Sequence, residues 1–457
     1  MVFSSNAGDV PPGTESAPRG RLQRDGWGAP VSPTNAGTLE AWERTVLALC
    51  GHRADTGAHL AEVLRQDPSF LPGLCLKGFA LLFKGRNDLR DDARAVHALA
   101  ERVVRERGAT PREVQLVAAL GEWIADDMVG ASDRFGALLE EAPTDLFVVK
   151  LEHGCLFMQG RPKALRARIE RVLPAWSADL MGYGYVLGCH AFALEETHAL
   201  EEAERVGRRA VAHQPDDAWG IHGVSHVMEM QDRSRDGVAW LKEHAPGYAA
   251  CNNFRAHVYW HRALFHCELG EHDAAVALYD DEVHNEWTGD YRDMSNRASL
   301  LWRLEADGLD VGDRWEDLGA RARERFRDHG SAFADAHYVL ALGRVGACAE
   351  LVASLRDFAA SGQAGDQAEV TRAVALPLCE AMSATLQGAD AVDGLARLQN
   401  AIVRLGGSNA QRDLFELFFI DAALRAGRND VAKAALSRRL LGRPNNRWAR
   451  TRLATLA

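Results

Sequence analysis

The run GYVLGCHAFALEETHALEEAERVGRRAVAHQPDD, residues 184–217, is where the chain declares its architecture. Apolar residues recur in it every three or four positions, the spacing of one helical face. Its length matches one period of a helix-pair repeat. Small residues stand at Ala191, Ala203 and Ala210, where the two helices of a pair must approach closely. Pro215 ends the second helix, because it has no amide hydrogen and clashes with the preceding turn. The next period opens at Ala218. A further one, from Ala256, puts Ala263 and Ala275 at the same two small positions, with the turn Leu269-Gly270-Glu271-His272 between its helices.

The same texture extends outward. Apolar periodicity predicts helices over 70–83, 92–107, 114–127, 130–141, 145–159 and 163–172. It continues over 332–345, 347–359, 373–387, 394–405, 412–426 and 430–440. Breakers such as Asp67-Pro68, Gly108-Ala109-Thr110-Pro111 and Ala142-Pro143-Thr144-Asp145 separate them. Alternating β-branched runs are missing. The expected fold is all-α: an α-solenoid of divergent tetratricopeptide-like helix pairs over residues 38–457, since a helix pair alone cannot cover its apolar face. Residues 1–37, rich in Gly, Pro, Ser and Thr, are expected to form a flexible arm docked in part around Trp27.

Of 457 residues, 47% are hydrophobic and 26% charged, enough for a large core. The net charge of −11 argues against a generic nucleic-acid or anionic-membrane binder. No apolar run is long enough for a membrane span, and the amino terminus shows no secretory pattern. The eight cysteines are scattered, with no C-x-x-C pair. They fit a reducing cytoplasm and small buried hydrophobes better than disulfides.

Histidine is unevenly placed. Eleven of the 17 lie between His190 and His284. His222 and His226 are four apart, with Glu229 three further on; His257 and His261 are also four apart. Such spacings share a helical face, and two imidazoles at i, i+4 grip one transition metal. First-helix positions 2, 5, 9 and 12 of these repeats face the concave groove. They are filled by His222, His226, Glu229 and His257, with Tyr185 and Glu195 from the preceding unit. His261 falls one step off this face, toward the inter-helix contact. The H-E-x-x-H pattern is absent, since Gly223 and Val258 follow the first histidine of each pair. A lone pair of this kind is more often a satisfied core feature. Two pairs on consecutive leading helices make a site as good a reading.

Three further segments qualify. Asp335-Ala336-His337 could extend the inner polar surface, although a surface pair is the plainer reading. In Gly406-Gly407-Ser408-Asn409-Ala410-Gln411-Arg412-Asp413, Ser408 and Gln411 form a capping-box pattern, with Asn409 and Arg412 placed to meet an anion. Trp260, between His257 and His261, is core by default and a candidate ligand contact.

Together with Tyr183-Gly184-Tyr185-Val186, Asp217-Ala218-Trp219-Gly220-Ile221-His222, His226-Val227-Met228-Glu229-Met230-Gln231 and His257-Val258-Tyr259-Trp260-His261, these stretches resemble the tetratricopeptide repeat protein 38 family. Leu76-Lys77-Gly78 and Gly312-Asp313-Arg314-Trp315 also fit. The likeness is collinear from about Trp27 to Leu440. It implies an α-solenoid in a soluble cytoplasmic protein and brings no settled activity.

Two functions are open at this point. One is a metal-dependent or acid–base small-molecule enzyme of hydrolase type. His222, His226, His257 and His261 would hold a divalent metal such as zinc, Glu229 would be ligand or base, and Tyr185 or Arg412 would stabilise charge. Glu195, Trp260, His337 and Asn409 would contact the ligand. The other is a scaffold that binds a peptide or protein partner in its groove and self-associates as a homo-oligomer.

Overall fold

The computed structural model describes residues 22–33 and 35–456. Within them the chain is helical almost throughout. Extended pairing is limited to a short antiparallel hairpin, Gln23–Arg24 with Pro30–Val31, and a bridge between Arg53 and Cys251. Of the expected arm, residues 1–21 lie outside the described residues. In the hairpin, Trp27, Ala29 and Val31 are buried, and the Trp27 indole N–H donates to the Met181 carbonyl (2.8 Å). The all-α expectation holds, and most element bounds follow the apolar periodicity closely; the helix expected over 394–405 instead ends at Leu398, with a separate 3-10 turn over Ile402–Leu405. Leu71–Leu82, Arg90–Arg107, Pro111–Ile124, Met128–Glu141 and Leu146–Met158 are typical.

Local chemistry sets the ends. Thr110 accepts from the Glu113 amide while the Glu113 side chain accepts from the Thr110 amide, with Pro111 at the first helical position. Ser408 and Gln411 make the same reciprocal pair, as their spacing predicts. Gly270 terminates the Phe254–Leu269 helix at φ 74°, a left-handed conformation that favours glycine. Its amide reaches the Cys267 carbonyl and the Glu271 amide that of His266.

The chain divides into two compact units. The first comprises the described residues up to Phe157, with Pro162–Gly223 and Pro246–Phe254. The second comprises Met158–Arg161, Val224–Ala245 and the described residues from Arg255 onward. The division passes through the Ala218–Met230 helix and beside the first residue of the Phe254–Leu269 helix, both of which are continuous.

In the first unit the helices from Ala36–Cys50 to Met128–Glu141 each pack on the next in sequence, as do Pro162–Val172, Tyr183–Glu196 and Leu200–His213, and leading helices also touch, as Leu71–Leu82 does Pro111–Ile124. Arg112 and Asp145 form a buried pair, with guanidinium to carboxylate distances of 2.5 and 3.0 Å. In the second unit the order differs. Tyr291–Ala306, Ala332–Arg344 and Leu376–Leu386 stack as leading helices, but Asn409–Arg425 returns to pack on Tyr291–Ala306. The segment after it reaches back further. Arg447 donates to the Cys267 and Glu268 carbonyls, and the Asn445 amide donates to Asp232. This unit therefore closes on itself.

All eight cysteines are thiols, seven of them buried. No helix among the described residues is long and apolar enough to cross a membrane.

His153 in the first unit gives a test of this packing. It is buried, and the Trp219 indole N–H donates to its Nε2 (3.1 Å). Burial, with Lys150 nearby, pushes its pKa down to about 3. An unfolded histidine titrates near 6.5, so below that pH the unfolded chain takes up a proton that the folded chain refuses. This contribution is complete above about pH 6.5 and is lost on acidification. Relative to His153→Gln, the wild type should lose about 2 kcal/mol of stability between pH 6.5 and 5, read from urea unfolding. A gap that stays constant with pH would contradict the assigned neutral imidazole.

Candidate metal centre

The Ala218–Met230 helix starts where Pro215-Asp216-Asp217 breaks the preceding one. The Asp217 carbonyl accepts from the Ile221 amide, and its buried carboxyl, pushed up to about 7 by desolvation, faces the amides of Gly220 and Trp219. The Phe254–Leu269 helix starts at Asn252, whose side chain accepts from the Phe254 amide (3.0 Å). Gly220 and Gly223 let the Ala218–Met230 helix lie close to the preceding pair, where added side-chain carbons would meet Ala210 and Phe192.

These two helices carry His222, His226, His257 and His261, all buried. Each offers one ring nitrogen such that all four lie within 4.8 Å of one another. The Nε2 atoms of His226 and His261 are 3.1 Å apart. The His257 and His261 ring centroids are 4.8 Å apart, those of His226 and His261 4.5 Å. His222, one turn earlier on its helix, sits in an aromatic box, with Trp219, Phe254 and Phe192 at 5.0, 5.1 and 5.7 Å between centroids.

The outward nitrogens of two rings are anchored. His261 Nδ1 lies 2.9 Å from Glu229 Oε2, and His257 Nδ1 lies 2.9 Å from Asn296 Oδ1. Carboxylate and amide oxygens accept, so both Nδ1 atoms carry the proton and both Nε2 atoms carry a lone pair. Desolvation pushes His257 down to about 3 and His261 well below the usual histidine value, which keeps both rings neutral. Trp260 stacks on His257 at 5.2 Å and 16°. Neutral imidazoles with one nitrogen tied to an oxygen and the other turned to a common point are how proteins present histidine to a metal. Two nitrogens at tetrahedral zinc, each about 2.0–2.1 Å away, would lie roughly 3.3 Å apart. The observed 3.1 Å is close to that.

Glu229 has a second neighbour. Burial raises its pKa to about 7, against the pull of Arg443. It lines a cleft within the second unit that offers about 60 Å³ to water-sized molecules, room for about two waters. Arg303, Arg439, Arg443, Asp413 and Glu268 also line it. Asp413 is buried, which disfavours its charge, yet Arg439, Arg443 and Arg303 hold its carboxyl well below the usual range. Arg439 grips it with both arms, at 2.5 and 3.0 Å.

The expectation of a groove-lining cluster needs correction. The four histidines converge as the helical phasing predicts, but in the interior, because nothing in a local repeat frame shows which face later helices cover. His261, expected off the face, is a full member. Tyr185 is engaged elsewhere, donating to Asp216 (3.2 Å). Glu195, buried at the end of the Tyr183–Glu196 helix, lies where expected: it and Glu196 each offer an oxygen within 4.8 Å of a His226 ring nitrogen. Arg412 donates to the Gly407 carbonyl and to Asn409 Oδ1 (2.9 Å), so both serve the loop that starts their helix. His337 is not at the surface. It is buried and bonded through Nδ1 to the Phe333 carbonyl (2.8 Å). Asn296 and Arg303 were missed, though Asp290, which caps their helix by accepting from the Arg292 amide, was a usable start signal.

No protein-family model matches the chain.

Asp413→Ala should strand Arg439, Arg303 and Arg443 without their shared anion. Breaking a buried pair in this way costs about 3–5 kcal/mol, measurable by urea unfolding. A loss under 1 kcal/mol would show that water screens this network.

Proposed function

We propose that the protein binds one divalent metal, zinc by donor type, through the Nε2 atoms of His226, His257 and His261, and acts on a small molecule as a hydrolase. The fourth position falls to His222, whose ring nitrogen lies within 4.8 Å of the other three, or to a substrate oxygen. The observation that carries this reading is the convergence of four buried imidazoles, with Glu229 and Asn296 fixing the tautomers of two.

Such a metal supplies Lewis acidity and lowers the pKa of water. The chain supplies the rest. Asn296 and Glu229 orient His257 and His261, and Trp260 walls His257 from solvent. Glu229, raised to about 7, is poised to accept or release a proton between the centre and the cleft. A peptide groove is less well supported, because the phased inner positions carry His222, His226, Glu229 and His257 instead of the Lys, Arg and Asn of a peptide-carboxylate clamp. The likeness to the tetratricopeptide repeat protein 38 family agrees with the helical fold and leaves the activity to be argued from the site.

Full-length protein purified without chelator should carry about one equivalent of zinc or a neighbouring transition metal by elemental analysis. His226→Ala/His261→Ala should lose it while keeping its helical circular dichroism. Hydrolysis across a panel of ester, amide and phosphoester substrates should fall on chelation and return with metal. Metal-free protein that takes up no zinc at micromolar concentration would refute the reading.

A further inference from the structure

Away from the metal centre, the second unit brings together Ser354, His329 and Asp335. The Arg314–Arg325 helix ends in a short turn, Phe326 to Gly330, in which Asp328 pairs with Arg325 (2.5 Å). His329 in this turn has φ 51°, a left-handed conformation that is uncommon for a residue with a side chain. The ring is buried and both its nitrogens are engaged. Nδ1 lies 3.4 Å from Asp335 Oδ2, and Nε2 lies 2.8 Å from Ser354 Oγ.

Each partner comes from a different helix. Asp335 is in the first turn of Ala332–Arg344, which Ser331 caps, and its carboxylate is buried. Ser354 is in the middle of Cys348–Ala360 and is only half-buried, so its hydroxyl is within reach of a small molecule. Phe358, one turn further on, packs against the His329 ring at 5.0 Å. A carboxylate accepts only, so the proton of the neutral ring belongs on Nδ1. Nε2 is then the acceptor, and Ser354 donates to it. Nucleophile to base and base to orienting acid is the arrangement that activates a serine.

We propose that Ser354, His329 and Asp335 form a serine acyl-transfer site whose substrates are carboxylic esters, bordered by the Phe358 ring. Ser354 Oγ attacks the acyl carbon while its proton passes to His329 Nε2. The tetrahedral adduct collapses, the ester C–O bond breaks, and the departing alkoxide takes the proton from Nε2. Water then adds to the acyl-serine with His329 as base, releasing the carboxylic acid and restoring Ser354. Ester and water become acid and alcohol, with no other reactant. Asp335 is a positioning residue that holds the imidazole in the Nδ1–H form.

The test uses the intact protein with an alkyl fluorophosphonate and with p-nitrophenyl acetate. The probe should label one site, mapped by peptide mass spectrometry to Ser354, and the ester should release a burst of nitrophenol. Ser354→Ala should abolish both. His329→Gln should slow labelling by about 10²–10⁴-fold, the usual contribution of a general base. Asp335→Asn should slow labelling and also move the His329 ¹⁵N resonances away from the Nδ1–H tautomer, a change that mere loss of packing would not produce. Wild-type protein left unlabelled, labelled elsewhere, or labelled at Ser354 no faster than in His329→Gln would overturn the proposal. The wild-type measurement decides even if a variant fails to fold.

Discussion

Neutral imidazoles packed in a dry interior must hand their protons to one another or to fixed oxygens, and the second unit is arranged around that fact. His257 and His261 give their Nδ1 protons to Asn296 and Glu229, so their Nε2 lone pairs turn inward. His226 Nε2 meets His261 Nε2 at 3.1 Å. Protonating the rings is opposed by burial, which drives His257 down to about 3. A proton on one of the two facing nitrogens closes that contact, and a cation in its place meets several lone pairs at once.

The charged layer behind Glu229 makes the arrangement possible. A buried carboxylate beside neutral histidines would be costly alone. Arg443 and Arg303 lower that cost, and Asp413 holds those arginines in place together with Arg439. Their helices, Tyr291–Ala306, Asn409–Arg425 and Asn429–Gly442, meet only because this unit closes on itself. Closure, burial of the imidazoles and the raised pKa of Glu229 thus depend on one another. Arg447, which joins the end of the chain to the Phe254–Leu269 helix through backbone carbonyls, is the clasp.

Much of the fold was legible because helices advertise themselves locally. The small residues at Ala191, Ala203 and Ala210, the breaker at Pro215 and the box at Ser408 and Gln411 each act over a few residues, and a repeat frame adds them up. Helical phasing also grouped His222, His226 and Glu229, since i, i+4, i+7 geometry needs no tertiary knowledge. Burial was beyond that reach. It depends on helices more than 150 residues later, as the Glu229–Asp413 neighbourhood shows. Asn296 belongs to no motif, and its role exists only once its helix packs beside His257. Arg412 was misread for a related reason: an arginine at a helix start suggests an anion, but the carbonyls of Gly406 and Gly407 were nearer. Asp335 was singled out with the wrong histidine. His337 is two residues away but bonds its own helix backbone, whereas His329, across a turn, meets the carboxylate.

X-ray absorption at the zinc edge on the zinc-loaded full-length protein addresses the central claim most directly, because it counts ligands without requiring turnover. The expected first shell holds three or four imidazole nitrogens at about 2.0–2.1 Å and no sulfur. A shell made of water or carboxylate oxygens, or one containing thiolate, would place the metal elsewhere and leave the four histidines as a metal-free core.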